Sequence, residues 1–406
     1  MYRRLLLALS LLACTASSPA QLRADEAVYE LRAPGEANAT ARDRASHNVG
    51  SQHGDQTRPA LSTDVLAVPA SIPSTVRPST LLVPTGGTGI IPPSSAPDNV
   101  GAFRFICMPG QISYDDPIVY PNQPGRSHLH QWYGNTAANA ASTYASLRTS
   151  GDSTCMNVLN RSAYWMPAML DGKGHVVRPD YVTIYYKRFP AISPECRKIA
   201  ARGCTDLPRG LRMIFGYDMI THQANRNAAY FNCDGPGATP GHYATITEAA
   251  KNCPAGARLG AVIAAPNCWD GTRLDSPNHR DHLAFGSYGQ TGVLRCPSTH
   301  PYVIPSFTLG AWYSVDEARA DSWYLSSDEM PGMERMPAGS TFHADWFGAW
   351  DDQVMTAWTE NCINKMLNCS TGELGDGRQM KQVGEFAWKT PRRLVPIPPR
   401  PAATAP

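Results

Sequence analysis

The run Tyr181-Val182-Thr183-Ile184-Tyr185-Tyr186 consists of β-branched and aromatic residues, the types that fit a pleated surface, and it reads as a strand. Outward from it, residues 102–107, 211–217, 259–264 and 302–313 carry a similar signature, and 102–107 opens the folded part. Helical signals are few. Thr245-Ile246-Thr247-Glu248 has the spacing of a capping box, in which the first side chain and the last each bond an orphan amide. Asp351 or Asp352 could cap a longer helix with Val354, Trp358, Cys362 and Met366 on its inner face, ended by Asn368 and Gly372. With 33 glycines and 35 prolines marking turns, the expected fold is mainly β: one large disulfide-stapled domain over 98–390, a β-sandwich or jelly-roll-like architecture with long loops and a few short helices.

The chain has 406 residues, 42% hydrophobic and 17% charged, enough to bury a sizeable core. A formal charge of +2 provides no basic field, which argues against nucleic acid as a partner. Met1-Tyr2-Arg3-Arg4 followed by the apolar stretch 5–13 resembles a secretory signal over residues 1–20, too short to span a bilayer. Ser18-Pro19-Ala20 suits ordinary cleavage. Leu11-Leu12-Ala13-Cys14 resembles a lipobox, which would make a lipid on Cys14 the sole membrane contact. The expected location is therefore extracellular, or the cell envelope by way of Cys14.

Eleven cysteines become ten once Cys14 is set aside, and an even number in an exported chain suggests up to five disulfides. Many connectivities are open. Neighbour pairing is the simplest: Cys107–Cys155, Cys196–Cys204, Cys233–Cys253, Cys268–Cys296 and Cys362–Cys369. A zinc-finger reading is weak because the sequence holds no Cys-x-x-Cys. Residues 21–97, rich in Pro, Ser and Thr, are expected to form a disordered tether, and 391–406 a disordered Pro-rich tail.

Chemistry concentrates in three places. Nine histidines follow residue 100, and five of them fall in Ser127-His128-Leu129-His130-Gln131-Trp132-Tyr133-Gly134-Asn135, in 275–282, and in His343-Ala344-Asp345-Trp346. A His-x-His pair on a strand puts both rings on one face, because side chains alternate. His128, His130, His279, His282 and His343 are the candidate metal ligands, and a divalent metal ion is the cofactor they would hold. His130, His343, Asp345 and Asp270 are the candidate catalytic groups, since a carboxylate beside an imidazole can orient it or act as base. Gln131 and Asn135, with the rings of Trp132, Tyr133, Trp346 and Trp350, are candidates for contacting a sugar.

Each has a plainer reading. An isolated histidine usually satisfies a buried carbonyl, Asp270 in Asp270-Gly271 can bond its own turn, and aromatic residues usually pack a core. His300, held between prolines near a cysteine, is expected to be structural. No Gly-x-Ser-x-Gly elbow, phosphate loop or dinucleotide fingerprint is present, which argues against those chemistries.

Taken together these segments resemble DUF1996, a family of secreted proteins of unknown function. The resemblance rests on Ser127-His128-x-His130-Gln131 with Gly134-Asn135, on Ser142-Thr143-Tyr144 followed by Cys155, and on Tyr164-Trp165 with Pro167. It continues through Cys268-Trp269-Asp270-Gly271, Leu274-Asp275-Ser276-Pro277, His279 and His282, then Cys296-Pro297-Ser298-x-His300-Pro301, and ends with His343-x-Asp345 before Trp350. It spans roughly residues 99 to 370. Met336-Pro337-Ala338-Gly339-Ser340 departs from the Gly-Asp-Pro-like turn expected before the late histidine. The resemblance implies export and a link to cell-wall or extracellular polysaccharide, without a mechanism. Three functions follow as expectations: a glycan-active hydrolase or lyase with a His/Asp site, a non-catalytic polysaccharide-binding surface protein, or a metal-binding exported protein.

Overall fold

The strand Tyr181–Arg188 lies inside a six-stranded sheet. Its order is Ala229–Asp234, Arg258–Ala264, Ser306–Ser314, Tyr181–Arg188, Gly101–Cys107, Asn368–Cys369, antiparallel except for the last, parallel pair. These coordinates are a computed structural model, and the structure describes residues 67–223, 229–288, 294–330, 332, 334–384 and 393–401. The described residues lie in one compact unit spanning Ala60–Pro406. The fold is mainly β, with smaller sheets and four short α-helices among the described residues.

A second, five-stranded antiparallel sheet runs Ile112–Ser113, His130–Gly134, Ala163–Pro167, His343–Phe347, Arg212–Gly216. Strand alternation divides its side chains between two faces. Tyr133, Tyr164, Met166, Met213, Phe215, Ala344 and Trp346 join the main core with Phe103, Ile184, Ile263 and Phe307 of the six-stranded sheet. The Phe307 ring lies 5.4 Å from the rings of both Phe215 and Trp346, so the two sheets interdigitate as a sandwich. Full burial of such a ring is worth about 1.5–3 kcal/mol, which fixes the register of the second sheet. The alternate residues, Trp132, Ala163, Trp165 and Phe347, face outward. There a smaller cluster with Ile118, Ala138, Tyr144 and Leu147 covers them. His130, His343 and Asp345 stand on this covered outer face.

All five neighbour disulfides are present. Thr245 caps the helix Ile246–Lys251 with a capping box completed by Glu248. Asp351 caps Asp352–Trp358, with Val354, Trp358 and Cys362 buried as expected. That helix does not run on to Asn368; it widens into Thr359–Ile363. The stretch 302–313 is likewise two strands, Tyr302–Val303 and Ser306–Ser314, because Pro305 between them has no amide to donate.

Where the tether and the tail are described, both differ from expectation. Leu82–Pro84 pairs with Arg378–Met380, Thr85 is buried, and Ile72 packs on the outer cluster. Arg393–Pro396 pairs antiparallel with His175–Arg178, and Arg400 donates to the carbonyls of Gly125 and Ser127. Short β-prone runs between prolines suffice for edge pairing, where an absent amide costs little. Cys14, the signal segment and residues 21–66 lie outside the described residues.

Candidate metal centre

His130 begins its strand and His128 lies just before it, brought to the same side with ring centroids 4.2 Å apart. The strand ends at Gly134, whose φ of +81° and close approach to the Ser162 carbonyl leave no room for a Cβ. Two strands away, His343 and Asp345 alternate onto the same face. Asp345 pairs across to Trp165, which in turn pairs to Trp132. The potential ligand atoms of His128, His130 and His343 lie within 4.8 Å of one another, as do those of Asp116, His130 and Asp345. His130 belongs to both groups. All five residues are buried, with His128 the most exposed at 8%.

The Nδ1 atoms decide the ring chemistry. Nδ1 of His130 faces the Asp115 carbonyl at 3.0 Å, and Nδ1 of His343 faces the Thr341 carbonyl at 2.8 Å. Nδ1 of His128 lies 3.3 Å from the Leu129 carbonyl and 3.2 Å from Ser326 Oγ, a hydroxyl that already donates to that same carbonyl. A nitrogen this close to a carbonyl carries the proton, which leaves Nε2 of His130 and of His343 as a bare lone pair, whereas the longer contacts of His128 Nδ1, shared with the Ser326 hydroxyl, suit either tautomer. Nε2 of His128 and Nε2 of His343 lie 3.1 Å apart, and Nε2 of His130 has no hydrogen-bond partner among the described residues. At that distance the two nitrogens need either an Nε2–H of His128 donating to His343 or a cation between them.

A proton is a poor candidate for that cation. Burial, reinforced by the neighbouring imidazoles, holds His128 well below the ordinary histidine range. The same causes lower His130 to about 3, and burial lowers His343 to about 4. A metal ion meets the requirement, since tetrahedral zinc with Zn–N near 2.0–2.1 Å separates its nitrogens by about 3.3 Å. Carbonyl-bonded Nδ1–H groups are also how metal-ligating imidazoles are usually oriented.

One turn braces two of the rings. Ser326 contacts His128, while Asp328 accepts from the amides of Leu325, Gly339 and Thr341 and from the Thr341 hydroxyl. Asp328 thereby shapes the divergent segment around Gly339, whose φ is +87°, and positions the Thr341 carbonyl that holds His343.

The acidic half is as enclosed. Asp116 Oδ1 accepts from the amides of Ile118 and Val119, and Asp345 Oδ2 is buried with no hydrogen-bond partner among the described residues. Burial pushes both carboxyls up, Asp345 strongly, helped by the Asp116 charge beside it. Sequence reasoning overlooked Asp116. Its available signal was Asp115-Asp116-Pro117, a turn-forming run shortly before the paired histidines.

The remaining candidates lie elsewhere. His282 uses both ring nitrogens, 3.0 Å from Ser276 Oγ and 2.7 Å from the Arg212 carbonyl, so it clamps its loop to the edge of the five-stranded sheet. His279 pairs with Asp275 at 2.9 Å and belongs to neither group of converging ligand atoms. Asp270 holds its own turn: its carboxylate takes the amides of Thr272 and Arg273 and the Arg273 guanidinium. His300 bonds Thr299 and the Asp281 carbonyl. The residues expected to contact a sugar lie inside the fold. Trp132, Tyr133, Trp346 and Trp350 are each at most 3% exposed and have no free face for stacking. Gln131 donates to the carbonyls of Gly110, Gln111 and Trp132, and Asn135 donates to those of Leu147 and Ser150.

The depressed His343 has a pH consequence in the metal-free protein. Between about 4 and 6.5 the unfolded chain holds a proton on this ring that the folded chain refuses. Its contribution to stability is therefore complete above 6.5 and is lost as the pH falls through that window. Relative to His343→Gln, wild type should lose up to about 1.4 kcal/mol per pH unit there. Urea midpoints of both proteins at pH 7 and pH 5 check this, and parallel midpoints would contradict it.

A cystine-stapled β-sandwich enclosing an imidazole–carboxylate cluster is the class of protein defined by these observations. The chain belongs to the family described as Domain of unknown function (DUF1996), whose model matches residues 116–350, more than half of its length. The match takes in Asp116, His128, His130, His343 and Asp345. No curated protein and no solved structure matches the chain.

Proposed function

We propose that this domain is an exported metal-binding protein in which His128, His130 and His343 hold one divalent transition-metal ion. The observation that carries the reading is the convergence of ligand atoms from three buried imidazoles to within 4.8 Å of one another, with Nδ1 of His130 and of His343 committed to backbone carbonyls. Imidazole donors suit zinc, copper, iron and nickel, and the enclosed setting resembles a retained ion more than an open catalytic position. Export is part of the proposal. The signal-like N-terminus supports it, as do the five disulfides, which belong to oxidising compartments. No helix among the described residues is long and apolar enough to cross a membrane. A lipid on Cys14 would provide attachment to the envelope.

A glycan-active enzyme is the less supported alternative, because the aromatic rings that would stack on sugar are buried and Asp270 serves its own turn. Metal analysis of protein purified without a His-tag tests the proposal. About one zinc or copper ion per chain is expected, persisting through dialysis against weak chelator. A chain that stays metal-free after exposure to zinc, copper and nickel would overturn it.

A further inference from the structure

Two buried carboxylates beside the imidazoles are more than the proposed ion requires. Among the described residues neither Asp345 Oδ2 nor His130 Nε2 has a hydrogen-bond partner, and both atoms are fully enclosed. Asp116 is fixed by two backbone amides and lies, with His130 and Asp345, inside a 4.8 Å group of ligand atoms. Among the described residues, neither carboxylate has an ion-pair partner within salt-bridge distance. Burying two ionised carboxylates side by side is costly, and the cost is met either by a proton on one of them or by a cation that both can ligate.

We infer that Asp116, His130 and Asp345 form a second, oxygen-rich cation pocket that shares His130 with the imidazole pocket. This inference rests on the proposed function for the ligand being shared, and on the carboxylate geometry for the rest. Two oxygen donors and one nitrogen suit a harder cation such as Mn2+, whereas three nitrogens suit Zn2+. Nδ1 of His130 is committed to the Asp115 carbonyl, so the ring has one lone pair to give. Only one pocket can use it at a time. The two pockets therefore compete, and the domain holds a hard or a borderline ion, not both.

Titration of the metal-free protein with Mn2+, followed by electron paramagnetic resonance, tests this. One Mn2+ should bind per chain. Asp116→Asn and Asp345→Asn should each weaken that binding at least tenfold, while His128→Gln changes it by less than threefold, and one equivalent of Zn2+ should expel the Mn2+. Near-UV circular dichroism of each variant establishes that it has folded, and the isosteric Asn changes preserve shape if one does not tolerate a larger change. Absence of Mn2+ binding in wild type overturns the second pocket while leaving the zinc proposal intact. Retention of Mn2+ and Zn2+ together overturns the sharing of His130. An equal loss in His128→Gln and Asp116→Asn also overturns it, by showing a single ion that draws on both groups. Manganese bound with this variant pattern and no zinc affinity would instead sustain the carboxylate pocket and sink the imidazole one.

Discussion

His130→Gln is expected to lower zinc affinity by about a thousandfold or more, because even removal of an outer partner of a ligand typically costs 10–100-fold. His130 is the ring with the least alternative employment. Among the described residues its Nε2 is buried without a hydrogen-bond partner, and it is shared by both groups of converging ligand atoms. Loss of the ion should carry over into stability by mass action. At free zinc a thousand times its Kd, binding to the folded chain alone contributes about 4 kcal/mol. Wild type should accordingly show a large zinc-dependent rise in Tm, and the variant almost none. Competition with a chelating dye and paired thermal scans measure both quantities. A variant that binds zinc as wild type does would remove His130 from the centre.

Asp351→Ala is expected to destabilise the fold by about 3–5 kcal/mol, the cost of leaving one partner of a buried ion pair alone. Arg148 is fully buried, and its Nη2 lies 3.2 Å from Asp351 Oδ2, itself almost unexposed. The other carboxylate oxygen accepts from the amides of Gln353 and Val354, which starts the helix Asp352–Trp358. That helix delivers Trp358 onto Phe103, where the rings stack at 5.1 Å, so the cap and the ion pair are tied to the main core. Asp351→Asn should retain the cap and lose the charge, falling between wild type and Ala. The neighbouring Asp352, which pairs with partly exposed Arg209 and accepts from the Ser71 hydroxyl, should cost at most about 1 kcal/mol when changed to Ala. Chemical denaturation of the three variants measures the series. Equal midpoints for Asp351→Ala and Asp352→Ala would refute the role given to the buried pair.

Much of the frame was legible because it depends on local pattern. Tyr181–Arg188 and its neighbours announce themselves by β-branched composition, and Thr245 with Glu248 by spacing alone. The cystines follow chain order, so nearest-neighbour pairing succeeded where no geometric rule could choose. The candidate site was half legible. Alternation placed His343 with Asp345 and brought His128 beside His130, since those relations lie within a few residues. What separates His282 from the cluster is a carbonyl of Arg212, seventy residues away in sequence, and only the tertiary fold supplies it. Trp132 and Trp346 look alike in sequence whether they face sugar or a core, because burial depends on what covers the sheet. Asp116 escaped notice for the same reason: its carboxylate gains meaning only opposite Asp345. The segment 393–401 joins the fold by pairing with His175–Arg178, a contact that proline content conceals.

Crystals of the untagged protein equilibrated with zinc, measured on both sides of the zinc absorption edge, test the centre most directly. The account predicts one strong anomalous peak beneath the outer face of the five-stranded sheet, about 2.0–2.1 Å from Nε2 of His128, His130 and His343. A map with no peak there, or with zinc only on surface residues away from these three rings, would contradict it.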